Sequence, residues 1–176
     1  MTVAPRLRIG ISQCLLGDCV RYDGGHKREA LLADTLSQIV DWVPVCQEVE
    51  AGLGTPREPM RLEGPPDAPR LITITSKTDL TQTVAEFSAR RVRELEALRL
   101  SGFVFKARSP SCGTGGVPLV NARGVESPDG AGLFARVFMA HFPLIPVEDE
   151  EHLRDPQVLQ QFLERAAACR GAHAHG

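Results

Sequence analysis

Five short apolar runs alternate with segments of helical spacing along this chain. The runs are Arg8–Gln13, Trp42–Cys46, Leu71–Thr75, Gly102–Ala107 and Pro143–Val147. Each is too short for a buried helix and is bounded by Gly, Pro or Ser, as strands are. Gly102–Ala107 is almost wholly apolar, the pattern of a central parallel strand covered on both faces. Between the runs, Arg28–Val40 carries apolar residues at Leu31, Leu32, Leu36, Ile39 and Val40. Asp79–Arg99 gives the strongest helical pattern, with Leu80, Val84, Phe87, Val92, Leu95 and Leu98 along one side and Asp79 or Thr78 as its cap. Gly130–His141 and Pro156–Arg170 complete the helices. Strands alternating with helices predict a single-domain, Rossmann-like three-layer α/β sandwich with a mostly parallel sheet of about five strands. Residues 1–170 are expected to form this domain and residues 171–176, with His173 and His175, a flexible C-terminal tail.

A length of 176 residues and an apolar fraction of 43% support one compact domain with a real core. The net charge of −2, with both signs interspersed, argues against a broad nucleic-acid-binding surface and so against a duplex partner. The first residues lack a secretory apolar region, and no stretch approaches the ~20 apolar residues of a membrane span, so a cytoplasmic location and no membrane partner are expected. In that compartment five cysteines read as thiols or metal ligands rather than disulfides. No uniformly apolar surface stripe specifies an oligomeric state.

Three of the cysteines follow apolar runs: Cys14 after the first, Cys46 at the end of the second and Cys112 shortly past the fourth. In a parallel sheet ligands bind outside the carboxyl ends of the strands, so these sulfurs are expected at the site edge. A phosphatase loop needs Arg six positions after Cys, where Val20, Gly52 and Pro118 stand instead. Three thiolates suit Zn²⁺ with an open fourth position, or three irons of a 4Fe–4S cluster with the fourth iron open. Buried small hydrophobes are the plain alternative. Spacing leaves these open, although the absence of a C-x-x-C pair and of a central His leans toward the cluster. Cys19 stands in a loop as a possible fourth ligand, and Cys169 reads as structural.

Polar groups of the right kinds lie nearby. Glu48, two residues beyond Cys46, is placed to shuttle a proton if partly desolvated, or else is an ordinary surface carboxylate, as Glu50 reads. Ser109 and Ser111 flank Pro110 ahead of Cys112, placed to relay a proton or to bond a turn amide. Gly113, Gly115 and Gly116 permit close backbone approach to a ligand. Arg21-Tyr22-Asp23-Gly24-Gly25 offers the only Tyr as a stacking ring, or is a plain turn. The Gly52–Arg70 stretch, with five prolines and no period, is either a lid or a surface excursion.

Together the segments S-Q-C-L-L-G-D-C-V-R-Y-D-G-G (12–25), C-Q-E-V-E-A-G-L-G-T-P-R-E-P (46–59) and K-A-R-S-P-S-C-G (106–113) resemble the thiouracil desulfidase (TudS) family, small bacterial proteins once known only as a domain of unknown function. The similarity runs in register over nearly the whole chain. It implies a 4Fe–4S cluster held by Cys14, Cys46 and Cys112, with the fourth iron open to the substrate's sulfur. It implies non-redox desulfuration of 2- or 4-thiouracil, a small thiolated pyrimidine, to uracil and sulfide. It matches Glu48 and Ser109 to an acid–base pair and leaves Cys19 and Cys169 outside the ligand set. The second motif usually begins Cys-Pro-Glu; here Gln47 replaces the Pro, which is expected to soften the turn. Two rival classes share the cysteines: a non-catalytic sulfide- or metal-delivery module and a three-cysteine zinc hydrolase.

Overall fold

The computed structural model describes residues 6–174, with side chains described to residue 171. His175, and the side chain of His173, lie outside that description. The chain folds into two four-stranded sheets with helices. The first sheet is parallel throughout. Strand β1 (Leu7–Ser12) lies between β2 (Val40–Val45) and β5 (Gly102–Phe105), and β8 (Val147–Asp149) pairs with β5, giving the order β2-β1-β5-β8. The second sheet is mixed. It joins β3 (Met60–Glu63), β4 (Arg70–Thr73), β6 (Val117–Val120) and β7 (Glu126–Gly130) in the order β4-β3-β6-β7. The helices are α1 (Gln47–Glu50), α2 (Thr81–Glu96), α3 (Leu133–His141) and α4 (Pro156–Ala174).

Period-2 alternation assigns the two faces of the parallel sheet. Ile9, Ile11 and Val104 point to one side, where they meet Leu32, Leu36 and the α4 residues Phe162 and Ala166. Phe103 and Phe105 point to the other, against Val92 and Leu95 of α2 and Phe134 and Phe138 of α3. The sheet is thus covered on both sides, which is why β5 shows no polar alternation. The Phe103 and Phe105 rings stack with centroids 4.2 Å apart. Gly10 makes room for them: a Cβ there would lie 2.2 Å from the Phe103 ring.

Several expectations need correction. The parallel sheet has four strands, not five, because the run near Leu71–Thr75 pairs antiparallel with β3 in the second sheet. An apolar run shows that a strand forms but not which neighbour it pairs with. The last strand of the first sheet is Val147–Asp149 rather than Pro143–Val147; Pro143 and Pro146 have no amide to donate, and pairing begins at Phe103 with Val147. Arg28–Val40 is not one α-helix but a π-helical turn over Leu31–Thr35 and a 3₁₀ turn over Leu36–Gln38. Of its stripe Leu32, Leu36 and Val40 are buried, and Val40 is buried as part of the sheet, opposite Leu7. The Gly52–Arg70 stretch contains β3. The closing helix runs past Arg170 to Ala174. Helix α2 starts at Thr81 with Leu80, not Asp79 or Thr78, at its N-cap; Asp79, one residue earlier, accepts the Thr81 amide at 2.9 Å. No described helix is long and apolar enough to cross a membrane.

Candidate active site

The carboxyl ends of β1, β2 and β5 open into a cavity of about 550 Å³. Cys14, Cys46, Glu48, Ser109 and Cys112 all line it, joined by Arg21, Tyr22, Gln47, Arg57 and Lys106. Cys14 sits in the 3₁₀ turn Gln13–Leu16 that follows β1, Cys46 at the junction of β2 and α1, and Cys112 in the loop after β5. All three are free thiols. Cys19 is exposed and does not line the cavity, and Cys169 belongs to α4.

The Cys112 loop is held from several directions. Arg108 adopts φ 57°, a left-handed conformation uncommon for a residue with a Cβ, and turns the chain into the serine loop. Ser109 Oγ accepts the amides of Ser111 at 3.3 Å and Cys112 at 3.2 Å. The amide of Gly113 donates to Ser109 O at 2.8 Å, so it is committed to the turn rather than offered to a ligand. The first turn of α3 then binds the loop carbonyls: Gly132 N donates to Gly113 O at 2.7 Å and Phe134 N to Ser111 O at 3.0 Å. A Cβ at Gly132 would lie 2.4 Å from Ser111 C and 2.6 Å from Cys112 N, both rigid backbone. Gly132→Ala is therefore expected to destabilise the fold by about 1–3 kcal/mol, the usual cost of overpacking, and to displace Cys112. Chemical denaturation measures the first effect and the rate of thiol labelling at Cys112 the second.

Glu48 is buried and both of its oxygens are engaged. Oε1 accepts from Ser111 Oγ at 2.6 Å, and Oε2 accepts from Arg57 Nε at 2.7 Å and also from Arg57 Nη2. Arg57 Nη1 donates to Val20 O at 2.9 Å and Gly54 O at 2.8 Å, and its amide donates to Tyr22 O at 2.8 Å. One guanidinium thus ties the carboxylate to the Cys14 loop and the proline-rich segment. Opposite, Lys106 Nζ pairs with the buried Glu150, whose other oxygen accepts the Ala107 amide at 2.7 Å. Tyr22 is partly exposed, with the Arg21 guanidinium 5.4 Å from its ring centroid.

Burial pushes the Cys14 thiol up to about 11, against the opposing charges of Arg21 and Lys106. Burial likewise raises Cys112 to about 12, against hydrogen bonds from Ser12 and Gln47. Burial also raises Cys46, against the amides of Val49 and Glu48. These thiols are protonated at neutral pH without a metal, so binding one releases protons. A raised thiol pKa keeps its contribution to stability below the unfolded value near 9 and loses it as pH climbs toward the folded value. Without a bound metal the protein is therefore expected to lose melting temperature between pH 9 and about 12. Cys112→Ala should flatten that decline, as thermal unfolding across the range would show.

Among the described residues, no group of three or more His, Cys, Asp or Glu side chains is arranged to hold a metal ion.

Arg57, Lys106 and Gln47 were not singled out as site residues in the sequence, and Ser111 was named only beside Ser109, without its bond to Glu48. Arg57 and Gln47 stand inside the second motif, but nothing in spacing shows that Arg57 folds back nine residues onto Glu48.

These features define an α/β protein with a three-thiol cavity at the carboxyl edge of a parallel sheet. The 2-thiouracil desulfurase family model matches residues 9–150, and the chain belongs to that family. Among solved structures it is similar to the [4Fe-4S]-dependent thiouracil desulfidase TudS, at 30% identity and a TM-score of 0.71, covering 89% of this chain and 97% of that one. It is also similar to the uncharacterized protein YbbK of Bacillus subtilis (strain 168), 31% identical over 113 residues, which are 60% of this chain and 72% of the relative.

Proposed function

We propose that this protein is a 4Fe–4S-dependent desulfidase that hydrolyses a small thiolated pyrimidine, 2- or 4-thiouracil, to uracil and sulfide. The observation that carries the reading is three free thiols on one cavity beside a buried, fully hydrogen-bonded carboxylate, in a member of this family. The donor set fits the cofactor: three soft ligands from three separate loops, with no fourth cysteine lining the cavity. Cys14, Cys46 and Cys112 would hold the cluster, and Lys106 and Arg21 would offset the charge of the thiolates. When bound, a cluster with an open iron supplies a soft Lewis acid for the thiocarbonyl sulfur.

The chain's own residues supply the proton chemistry. Arg57 and Ser111 fix Glu48 in one orientation, and Oε1 keeps a lone pair for a water molecule. Glu48 takes a proton from that water as its oxygen adds to the ring carbon. Ser109 Oγ already accepts two amides, so its remaining capacity is as a donor, and it relays a proton to the ring or to the departing group while taking one back from solvent, ending neutral. Tyr22, backed by Arg21, stands at the mouth where a pyrimidine face can stack. Water supplies the oxygen and sulfide leaves, so the reaction balances without electron transfer.

The test is anaerobic reconstitution with iron and sulfide, followed by an assay for thiouracil consumption and sulfide release. Uptake of a cluster with turnover of thiouracil supports the reading. Uptake without turnover leaves a sulfide-carrying module, and failure to take up a cluster overturns the mechanism. Because loading deprotonates thiols, uptake should improve from pH 7 to pH 9.

A further inference from the structure

Gln47 stands where the resembled motif carries a proline, and its effect is larger than a softened turn. The backbone there remains helical: Glu50 N donates to Cys46 O at 2.8 Å and Ala51 N to Gln47 O at 2.9 Å. The Gln47 side chain is buried at 2% exposure and turns into the cavity wall, where Nε2 lies 2.7 Å from Cys112 Sγ. A proline cannot make this contact. Burying an amide costs free energy unless it finds a partner, and here the partner is a sulfur assigned to the cluster.

From this contact we infer that Gln47 is a tuning residue, donating an N–H···S hydrogen bond to the Cys112 thiolate when that sulfur holds the cluster. The inference rests on the cluster reading above. A thiolate has no proton to give, so only the NH₂ end of Gln47 can face it. Reduction of a 4Fe–4S centre by one electron adds negative charge to its sulfurs, and a donor aimed at one of them binds more strongly in the reduced form. Hydrogen bonds to the sulfurs are among the features that set cluster potentials. Gln47 therefore raises the potential. By drawing electron density from Cys112, it also makes the bound group a stronger acceptor for a substrate's sulfur.

The contact lies on the Cys112 corner and leaves Glu48 with its own partners, so removing it should not disturb the carboxylate. Two variants remove the donor differently. Gln47→Met keeps the length of the side chain without its amide. Gln47→Pro suits the first position of a helix, where no amide is needed.

The experiment is a mediator-buffered redox titration of the reconstituted holoenzyme, followed by electron paramagnetic resonance of the reduced cluster. Both variants are expected to titrate at a more negative potential than the parent chain. A donor bond tenfold stronger toward the reduced cluster than toward the oxidised one shifts the potential by about 59 mV for one electron. An unchanged or higher potential in both variants would overturn the inference while leaving the cluster reading intact. Loss of the cluster from both variants would overturn it too, since a tuning donor is not needed to hold the group. If the parent chain itself takes up no cluster, the reading and the inference fall together.

Discussion

Replacing Glu48 by alanine is expected to lower kcat by about 10²–10⁴ while the protein still takes up its cluster, the range associated with losing a positioned general acid or base. The expectation rests on geometry. Arg57 and Ser111 point the carboxylate at the cavity shared with the three thiols, yet Glu48 is not one of the proposed ligands. The absorbance of the cluster and steady-state turnover of thiouracil separate the two effects. A Glu48→Ala enzyme with full cluster content and undiminished turnover would remove Glu48 from the mechanism. Glu48→Gln is the informative companion, because it preserves size and the bond from Ser111 but accepts less well from Arg57. It should lose turnover with less disturbance of the fold.

The second large effect concerns the ligands. Cys112→Ala should abolish stable cluster binding, and Cys14→Ala and Cys46→Ala should each weaken it strongly. Cys19→Ala should leave iron content and turnover near those of the parent chain, because Cys19 is exposed and does not line the cavity. Cys112 is expected to be the most sensitive because it is the more deeply buried of the two buried ligands and its loop is held by the first turn of α3. Iron and sulfide analysis of the four variants, purified anaerobically, is the measurement. Cluster loss in Cys19→Ala would mean four protein ligands and no open iron, and the proposed chemistry would fail with it.

The two effects also differ in what they ask of the fold. A ligand substitution removes a donor from the edge of a rigid sheet. The Glu48 substitution removes one member of a buried charged pair and leaves Arg57 with fewer partners, although Arg57 keeps its bonds to Val20 and Gly54. Breaking a buried pair from one side costs about 3–5 kcal/mol in general, so turnover is best compared at a temperature where both proteins are folded.

The sequence by itself determined the α/β class, because short apolar runs alternate with segments of helical spacing that can cover them. It placed the three thiols together, because strand direction carries every residue that follows a parallel strand to the same edge. It also marked Glu48, and Ser109 together with Ser111, by their closeness to cysteines along the chain. Tertiary structure decided the rest. Leu71 and its neighbours joined a second sheet because β3, hidden among prolines, offered a hydrogen-bonding partner that period-2 patterning does not reveal. Arg57 reached Glu48, and Gln47 reached Cys112, because α1 turns its first residues inward against loops far away in sequence. Periodicity records which face of an element is apolar. Only packing decides which distant polar group fills the last hydrogen-bonding position at a buried carboxylate or sulfur, and in this protein those partners complete the site.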